Sequence, residues 1–290
     1  MRMRPTILVV ALLVAGCGDP APLKPYLTRF DRPLHISHQG GADVFPSNTL
    51  LAYEYARYLY DTDVLEIDVH RTADGVLVVL HDDTVDRTTD GSGRVRDMDL
   101  DVLRSLDAGY RFSTDDGQSF PYRGQGLVIP TLSEIFQAFP DVLTNIEIKQ
   151  LDPPIEEDLV RLIREFRVVG TVCLGSFDDA SAEHLRDLLP EACHYAPEDM
   201  ATQFYASTRV SLGGVFPLPV DALALPTTSA GLDVLDPGLL NAAHDRGVHV
   251  WAWTINTRDE MKRLLDLGID GIMTDRPDLL DEEMSEQGLR

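Results

Sequence analysis

Short apolar runs alternate with helix-like segments along most of this chain, and this alternation restricts the fold more than any other feature. Apolar runs follow candidate helices at residues 145–148, 172–174, 249–253 and 269–273. Strands separated by helices form parallel sheets with helical crossovers. Because polar residues cluster at the ends of these runs, the pattern predicts a (β/α)8 TIM barrel with its site at the carboxyl ends of the strands.

One run carries two acids in alternating positions. Glu66, Asp68 and His70 alternate with aliphatic residues, so a strand here turns both carboxylates to one face. Like charges this close raise each other's pKa unless a cation lies between them. A third acid, Glu147, alternates with isoleucines in a later run and precedes Lys149 by two residues. Three carboxylates suit Mg²⁺ or Ca²⁺ rather than zinc, so we predict that Glu66, Asp68 and Glu147 bind one of these ions.

Two histidines are candidates for proton transfer. His38 ends an otherwise apolar row that begins with Leu34 and Ile36, and His81 follows Asp68 by thirteen residues after a turn signal and an apolar run. Both side chains could instead be hydrogen-bonded core histidines. For His70, which shares a face with the acids, we expect a structural role near the site.

Together these pieces resemble the glycerophosphodiester phosphodiesterase family over residues 34–280. The resemblance rests on the order of several short motifs: His38-Gln39-Gly40, Pro46-Ser47-Asn48-Thr49, Glu66-x-Asp68, His81-Asp82, Glu147-x-Lys149, Ser176-Phe177, Trp253-Thr254-Ile255-Asn256 and Asp270-Gly271-Ile272-x-Thr274-Asp275. Each motif alone is weak evidence, whereas the ordered set makes coincidence improbable.

The resemblance implies metal-dependent hydrolysis of glycerophosphodiesters to glycerol 3-phosphate and an alcohol. In this family the glycerol 2-hydroxyl of the substrate attacks phosphorus and gives a cyclic phosphate, which water then opens. The resemblance also implies that His38 and His81 act as general base and general acid. It further implies a set of substrate-binding residues: Lys149, Gln39, Trp253 and Phe177.

Two positions depart from the family pattern. Gln39 stands where the family usually has arginine, and Ser47 stands where it usually has glutamate. Neutral glutamine cannot offer the forked cation that arginine presents to a phosphate. Two other functions therefore stay open. One is a lysophospholipase D or cyclising phospholipase that acts on lipid headgroups, and the other is a binding lipoprotein with weakened catalysis.

The first residues resemble a bacterial lipoprotein signal peptide. Two arginines precede an apolar run that is too short to span a bilayer, and the run ends in the sequence Leu-Val-Ala-Gly-Cys at residues 13–17. We expect residues 1–16 to be removed, Cys17 to be lipidated and residues 17–30 to form a tether. The alternative is an ordinary secretory signal with a chance cysteine. Gly18 in place of aspartate favours the outer over the inner membrane of the cell envelope.

Charge and length describe the rest of the chain as one acidic domain. The net charge of −23 would repel nucleic acid and anionic membrane surfaces, so we predict a small phosphodiester as the partner and the lipid as the membrane attachment. Residues 31–290 fit a single barrel domain, and the sequence does not predict its oligomeric state.

Residues 83–130 are too long for a plain connection and form an insertion after the third strand. They would be either a cap over the site or a surface excursion.

Two cysteines remain after Cys17. Cys173 and Cys193 lie in strand-like runs that could be neighbours in a barrel. A disulfide and two buried free thiols are both possible, because parallel neighbouring strands seldom align two Cβ atoms well.

Overall fold

The structure is a computed structural model that describes residues 23–210, 212–229 and 231–290. The expected signal peptide and Cys17 lie outside the described residues. Within the described ranges, every helix is too short or too polar to cross a membrane.

The described part of the chain alternates strands and helices, as expected. The strands are β1 (Leu34–Ser37), β2 (Val64–Arg71), β3 (Leu77–Val79), β4 (Leu143–Ile148), β5 (Val172–Gly175), β6 (Cys193–His194), β7 (Ala222–Pro226), β8 (Thr228–Ser229), β9 (Leu232–Asp233), β10 (His249–Trp253) and β11 (Gly271–Thr274). The helices are α1 (Leu50–Leu59), α2 (Leu100–Arg104), α3 (Leu132–Ala138), α4 (Glu156–Phe166), α5 (Asp179–Leu188), α6 (Glu198–Arg209), α7 (Pro237–His244), α8 (Arg258–Leu267) and α9 (Pro277–Glu286).

Eight parallel strands form the barrel, in the ring order β1-β2-β4-β5-β6-β7-β10-β11. The ring closes between β6 and β7, where the Asp221 amide donates to the His194 carbonyl at 2.8 Å and the Ala196 amide donates to the Ala222 carbonyl at 3.0 Å. Strand β3 lies outside the ring and pairs antiparallel with β2, and β8 and β9 form a separate hairpin. The predicted TIM barrel is confirmed.

Strands β2 and β4 show why the acids face inward. Asp68 is the register partner of Glu147 across the two strands. The aliphatic residues between the acids, such as Ile67 and Ile146, are fully buried in the layer between the sheet and its helices. Since successive side chains of a strand alternate between faces, burial of these residues outside the ring directs the acids into its interior.

The long connection from β3 to α3 contains residues 83–130, which we expected to be an insertion. Its apolar side chains have a small core of their own, with Val85, Val95, Leu103 and Ile129 buried. The segment starts directly after His81, at the carboxyl end of the barrel strands. It therefore stands beside the site and is a packed structure rather than a loose loop.

Residues 23–30, the last part of the segment that we predicted to be a tether, pack against the opposite end of the barrel. Tyr26 and Leu27 are buried among inward side chains near the strand starts. The ring of Tyr26 lies 6.2 Å from that of Trp251, and its hydroxyl hydrogen-bonds to Asn145. Lys24 donates to the carbonyl of Pro190, just before β6. These contacts stabilise the segment because they bury aromatic surface and satisfy the tyrosine hydroxyl.

The two remaining cysteines are bridged. Cys173 and Cys193 are register partners on β5 and β6, with their Cα atoms 4.3 Å apart, and their sulfurs form a disulfide. Both side chains are buried inside the barrel near its N-terminal end. Of the two possibilities that the sequence left open, the structure has the bridge.

Candidate functional site

Three carboxylates meet inside the carboxyl end of the barrel, and we call Glu66, Asp68 and Glu147 the acidic centre. Each offers an oxygen within 4.8 Å of the oxygens of the other two. Glu66 is 4 % exposed and Asp68 is fully buried. The structure thus brings together the three predicted metal ligands from two adjacent strands.

Placing three acids in one buried space is electrostatically unfavourable. Burial, assisted by the charge of Asp68, raises the pKa of Glu66 to about 8. Burial likewise raises the pKa of Glu147 to about 7, although Lys149 opposes the shift. The raised pKa values show that the site disfavours the ionised form of these two carboxyl groups. A bound cation would remove that penalty.

Lys149 supplies part of the compensation. Its Nζ lies 2.6 Å from Glu147 Oε1 and 3.2 Å from Asp68 Oδ1. Burial alone would lower the pKa of Lys149, but the two carboxylates raise it, so the ammonium stays charged. The same Nζ lies 5.3 Å from the centre of the Phe177 ring. One cation against three carboxylates leaves the acidic centre with an excess of negative charge.

His38 is fixed beside the acidic centre by residues from β11 and the loop after β10. Its Nδ1 donates to Asp275 Oδ1 at 2.6 Å, and its Nε2 lies 3.9 Å from Glu66 Oε2. Asn256 Nδ2 in turn donates to Asp275 Oδ2 at 2.8 Å. Burial opposes protonation of His38, but the hydrogen bond with Asp275 and the charge of Glu66 raise its pKa to about 9. The hydrogen bond to Asp275 therefore orients the ring, and the neighbouring carboxylates favour its protonated form.

His81 lies across the cavity from His38, and it too contacts an aspartate, which is more exposed than the aspartate beside His38. The two imidazole rings are 6.4 Å apart and nearly perpendicular. His81 Nδ1 lies 2.9 Å from Asp82 Oδ1, and Arg87 holds Asp82 with two further hydrogen bonds. The ring of His70 does not join the acidic centre, since its Nε2 lies 3.3 Å from the carbonyl oxygen of His81. The structural role that we expect for His70 stays a prediction.

Asn48 and Tyr53 form a support for the acids that the sequence did not reveal. Asn48 Nδ2 donates to Asp68 Oδ2 at 3.1 Å, and the Tyr53 hydroxyl donates to Asn48 Oδ1 at 2.7 Å. Asn48 adopts a left-handed backbone conformation with φ of 58°, which asparagine tolerates better than most residues. Thr49 rather than Asn48 caps helix α1, so the amide of Asn48 is free to bind Asp68.

Aromatic side chains form the far wall of the cavity. Phe177 and Trp253 meet edge to face with centroids 5.8 Å apart, and both line the same cavity as His38 and the acidic centre. Tyr195 lines it as well, and an added Cβ at Gly175 would lie 2.2 Å from its ring. Tyr195 escaped prediction because it follows a two-residue strand and belongs to none of the motifs.

The side chain of Gln39 is buried beside His38 and does not extend into the cavity. It is 4 % exposed, and its Nε2 lies 3.2 Å from His38 Nε2. Its backbone amide donates to Glu66 Oε2 at 3.0 Å, a contact made possible by a left-handed backbone with φ of 52°. The main chain of Gln39 therefore orients a carboxylate, and its side chain contacts a histidine.

The donor set of the acidic centre fits a divalent cation. Within the described residues, Asp68 Oδ1 and Glu147 Oε1 are buried without a hydrogen bond of good geometry, and their contact with Lys149 is an ion pair. Buried carboxylate oxygens are costly unless they are hydrogen-bonded, paired or bound to a metal. An all-oxygen set suits Mg²⁺ or Ca²⁺.

Known proteins share both the sequence pattern and the fold of this chain. Residues 38–279 match the glycerophosphoryl diester phosphodiesterase family. A glycerophosphodiester phosphodiesterase of Caldanaerobacter subterraneus subsp. tengcongensis is 34 % identical over 261 residues, which cover 86 % of this chain and 96 % of that protein. A crystal structure of a glycerophosphodiester phosphodiesterase from Agrobacterium tumefaciens superposes with a TM-score of 0.69 at 25 % identity, covering 86 % of this chain and 99 % of that one. An Oleispira antarctica phosphodiesterase, solved with its product sn-glycerol-3-phosphate, has a TM-score of 0.68 at 23 % identity and covers 88 % of this chain and 97 % of that one.

Proposed function

The chain belongs to the glycerophosphoryl diester phosphodiesterase family, and we propose that its barrel cavity hydrolyses glycerophosphodiesters to glycerol 3-phosphate and an alcohol with the help of a divalent cation. The observation that carries this proposal is the juxtaposition of three carboxylates, two of them buried and one partly buried, with two histidines at one end of the barrel. The first group suits a metal ion, and the second suits proton transfer.

The acidic centre would hold the cation through oxygens of Glu66, Asp68 and Glu147. A Mg²⁺ or Ca²⁺ ion bound there would polarise the phosphoryl oxygens, on which negative charge builds as phosphorus is attacked. Lys149 would add a second positive charge beside the same oxygens. Asn48 and the Gln39 amide would keep the carboxylates oriented, since each donates a hydrogen bond to one of them.

His38 and His81 would transfer protons from and to two substrate oxygens: the one whose bond to phosphorus forms and the one whose bond to phosphorus breaks. One histidine removes the proton from the glycerol 2-hydroxyl as that oxygen bonds to phosphorus. The other gives a proton to the alcohol oxygen as its bond to phosphorus breaks. The cyclic phosphate that results is then opened by water. Asp275 and Asp82 would fix the two rings through their Nδ1 atoms, so that Nε2 is the atom that exchanges the proton.

A direct test is release of glycerol 3-phosphate from a panel of glycerophosphodiesters by chelated protein, with Mg²⁺ or Ca²⁺ added back. We expect little release without a cation and restored release with one. Release that is indifferent to the cation would contradict the metal part of the proposal. Absence of release across the panel would favour a binding lipoprotein instead.

We also infer that the mature protein is attached to the outer membrane through a lipid on Cys17. The support is the sequence at residues 13–17, with small residues directly before the cysteine. Replacing Cys17 with Ala should give a protein without acyl groups that keeps its turnover in detergent, because the site lies far along the chain. Mass spectrometry of the mature wild-type protein checks this, and an unmodified Cys17 would end the idea.

A further inference from the structure

Tyr195 lines the barrel cavity but has no role in the chemistry described so far. Its amide donates to the Leu174 carbonyl at 3.1 Å, one residue beyond the register pair of Leu174 with His194. Tyr195 therefore lies opposite Gly175, the last residue of β5. Because Cys193, two residues earlier, points into the barrel, strand alternation points Tyr195 inward as well.

Four inward positions of adjacent strands lie at one level of the barrel. Asp68 is the register partner of Glu147, Glu147 is the register partner of Gly175, and Tyr195 comes next. Gly175 has no side chain, and the ring of Tyr195 fills the space, since an added Cβ at Gly175 would overlap the Cε2 and Cζ atoms of that ring. Cζ carries the hydroxyl. The hydroxyl end of Tyr195 therefore reaches across β5 toward the acidic centre.

The hydroxyl of Tyr195 is held in place but has no protein partner among the described residues. Burial and then the charge of Glu147 raise its pKa, as expected for a phenol close to that carboxylate. The disulfide between Cys173 and Cys193 joins the same two strands two residues below Gly175 and Tyr195, which restricts movement of the ring. Hydroxyls inside proteins nearly always form hydrogen bonds, so a partner from outside the protein is expected here.

We propose that the Tyr195 hydroxyl donates a hydrogen bond to a non-bridging phosphate oxygen of the substrate. The proposal rests on the proposed function, which places the phosphate on a cation held by the acidic centre, at the level that Tyr195 reaches. A phenol is a donor without charge. It can therefore bind a phosphate oxygen without competing with the cation for the carboxylates, and it supplies one of the donors that neutral Gln39 does not.

Binding of inorganic phosphate and of glycerol 3-phosphate to Tyr195→Phe protein loaded with Mg²⁺ or Ca²⁺ tests the proposal. The substitution removes only the hydroxyl. Because a hydrogen bond to a charged group is lost, we expect the dissociation constants of both ligands, measured by calorimetry, to rise at least ~10-fold. Weaker binding of glycerol 3-phosphate alone would place the hydroxyl on the glycerol and overturn the proposal. Unchanged constants for both ligands would also overturn it.

Tyr205→Phe is the matched control. The Tyr205 hydroxyl donates to the Asp233 carbonyl at 3.3 Å, and its side chain lines a neighbouring cavity rather than the barrel cavity. We expect this variant to bind both ligands as the wild type does. The affinity for Mg²⁺ or Ca²⁺ should be equal in the wild type and in Tyr195→Phe. A weaker affinity for the cation would mean that the hydroxyl acts on the acidic centre rather than on the phosphate, contrary to the proposal.

The space at Gly175 allows a second test. Gly175→Ala should displace the Tyr195 ring and weaken phosphate binding as Tyr195→Phe does. Combining the two substitutions should add little, because both remove the same contact. Gly170→Ala is the control, since an added Cβ there meets nothing within 4 Å. Additive losses in the double variant would contradict the proposed contact.

Turnover of glycerophosphocholine separates this proposal from the proposed function. A wild-type protein that turns it over, together with a Tyr195→Phe protein that binds phosphate equally well, would overturn only the role of Tyr195. A wild-type protein that binds phosphate through Tyr195 but releases no glycerol 3-phosphate would contradict the proposed function and leave the contact standing. A metal-loaded wild type that binds neither ligand would contradict both.

Discussion

The acidic centre and the neighbouring apolar groove, a cavity lined by Ala201, Leu225 and Val234, are built in opposite ways. In the acidic centre, directional hydrogen bonds orient individual carboxylate oxygens, as Asn48 does for Asp68 and the Gln39 amide does for Glu66. The groove has an aliphatic floor whose contacts have no directional partner. Directional contacts determine which bond reacts, whereas apolar surface determines which molecule is held there. Changes in the acidic centre should therefore lower turnover itself, whereas changes in the apolar groove should leave the reacting groups in place.

The largest effect should come from Glu66→Gln. A neutral amide supplies an oxygen but not the charge that holds a cation, so we expect loss of metal binding and of glycerophosphodiester turnover. Calorimetry with Mg²⁺ and Ca²⁺, alongside kinetics, measures the two losses. Glu283→Gln is the matched control, because Glu283 is equally buried but lies on α9. Wild-type turnover by Glu66→Gln would overturn the assignment of the acidic centre.

Removing either histidine should have the next largest effect. His38→Ala and His81→Ala should keep the metal but each lose at least ~10² in turnover, the usual scale of general acid–base catalysis. His194→Ala, which removes another buried histidine, serves as the control. A loss of metal in the histidine variants would mean that they act as ligands rather than as proton carriers.

The two aspartates that orient the histidines should differ in their effect on turnover. Asp275 is more buried than Asp82, with side-chain exposures of 15 % and 28 %, and Asp82 is shared with Arg87. We expect Asp275→Asn to lower turnover by ~10-fold or more, the usual scale for a residue that orients a reacting group, and Asp82→Asn to lower it less. Turnover measured across a range of pH separates the two, because Asp275→Asn should also lower the pKa of His38. A larger loss for Asp82→Asn would reverse the order that burial predicts.

Restoring a cation at position 39 should strengthen substrate binding rather than weaken turnover. A forked cation hydrogen-bonded to phosphate contributes roughly 1.5 to 3 kcal/mol, so Gln39→Arg should lower the Michaelis constant at least ~10-fold. Gln39→Lys, which adds charge without the fork, should lower it less. An unchanged or higher constant for Gln39→Arg would mean that Lys149 already binds the phosphate, or that the contact of Gln39 with His38 matters more.

The barrel and the acidic centre were predictable because both depend on strand periodicity. Alternation in β2 and β4 determines which side chains point into the ring, and this can be read from residues 64–70 and 145–149 alone. Ordered motifs then identified His38 and His81. These features are local in sequence, even though their partners lie on other strands.

Other parts of the molecule could not be predicted, since they depend on where distant segments meet. Tyr26 lies in a segment without periodicity, and its burial follows from the shape of the barrel end. The hydrogen bond of Asn48 to Asp68 depends on the positive φ of Asn48 and on Thr49 capping α1, and neither can be read from the motif. The disulfide required the register of β5 and β6, which places Cys173 opposite Cys193. The apolar groove combines α6, β7 and a hairpin, so no single stretch of sequence marks it.

The buried position of Tyr26 determines how an anchored molecule would be oriented. The chain enters the barrel at the end opposite the cavity, and Tyr26 lies nine positions after Cys17 in the sequence, a reach of about 30 Å at most. A lipid on Cys17 would thus hold the closed end toward its own membrane and turn the cavity mouth toward the aqueous side. Substrates would then be supplied through water rather than taken from the adjacent bilayer. Such an orientation favours substrates that are soluble in water, as glycerophosphodiesters without acyl chains are.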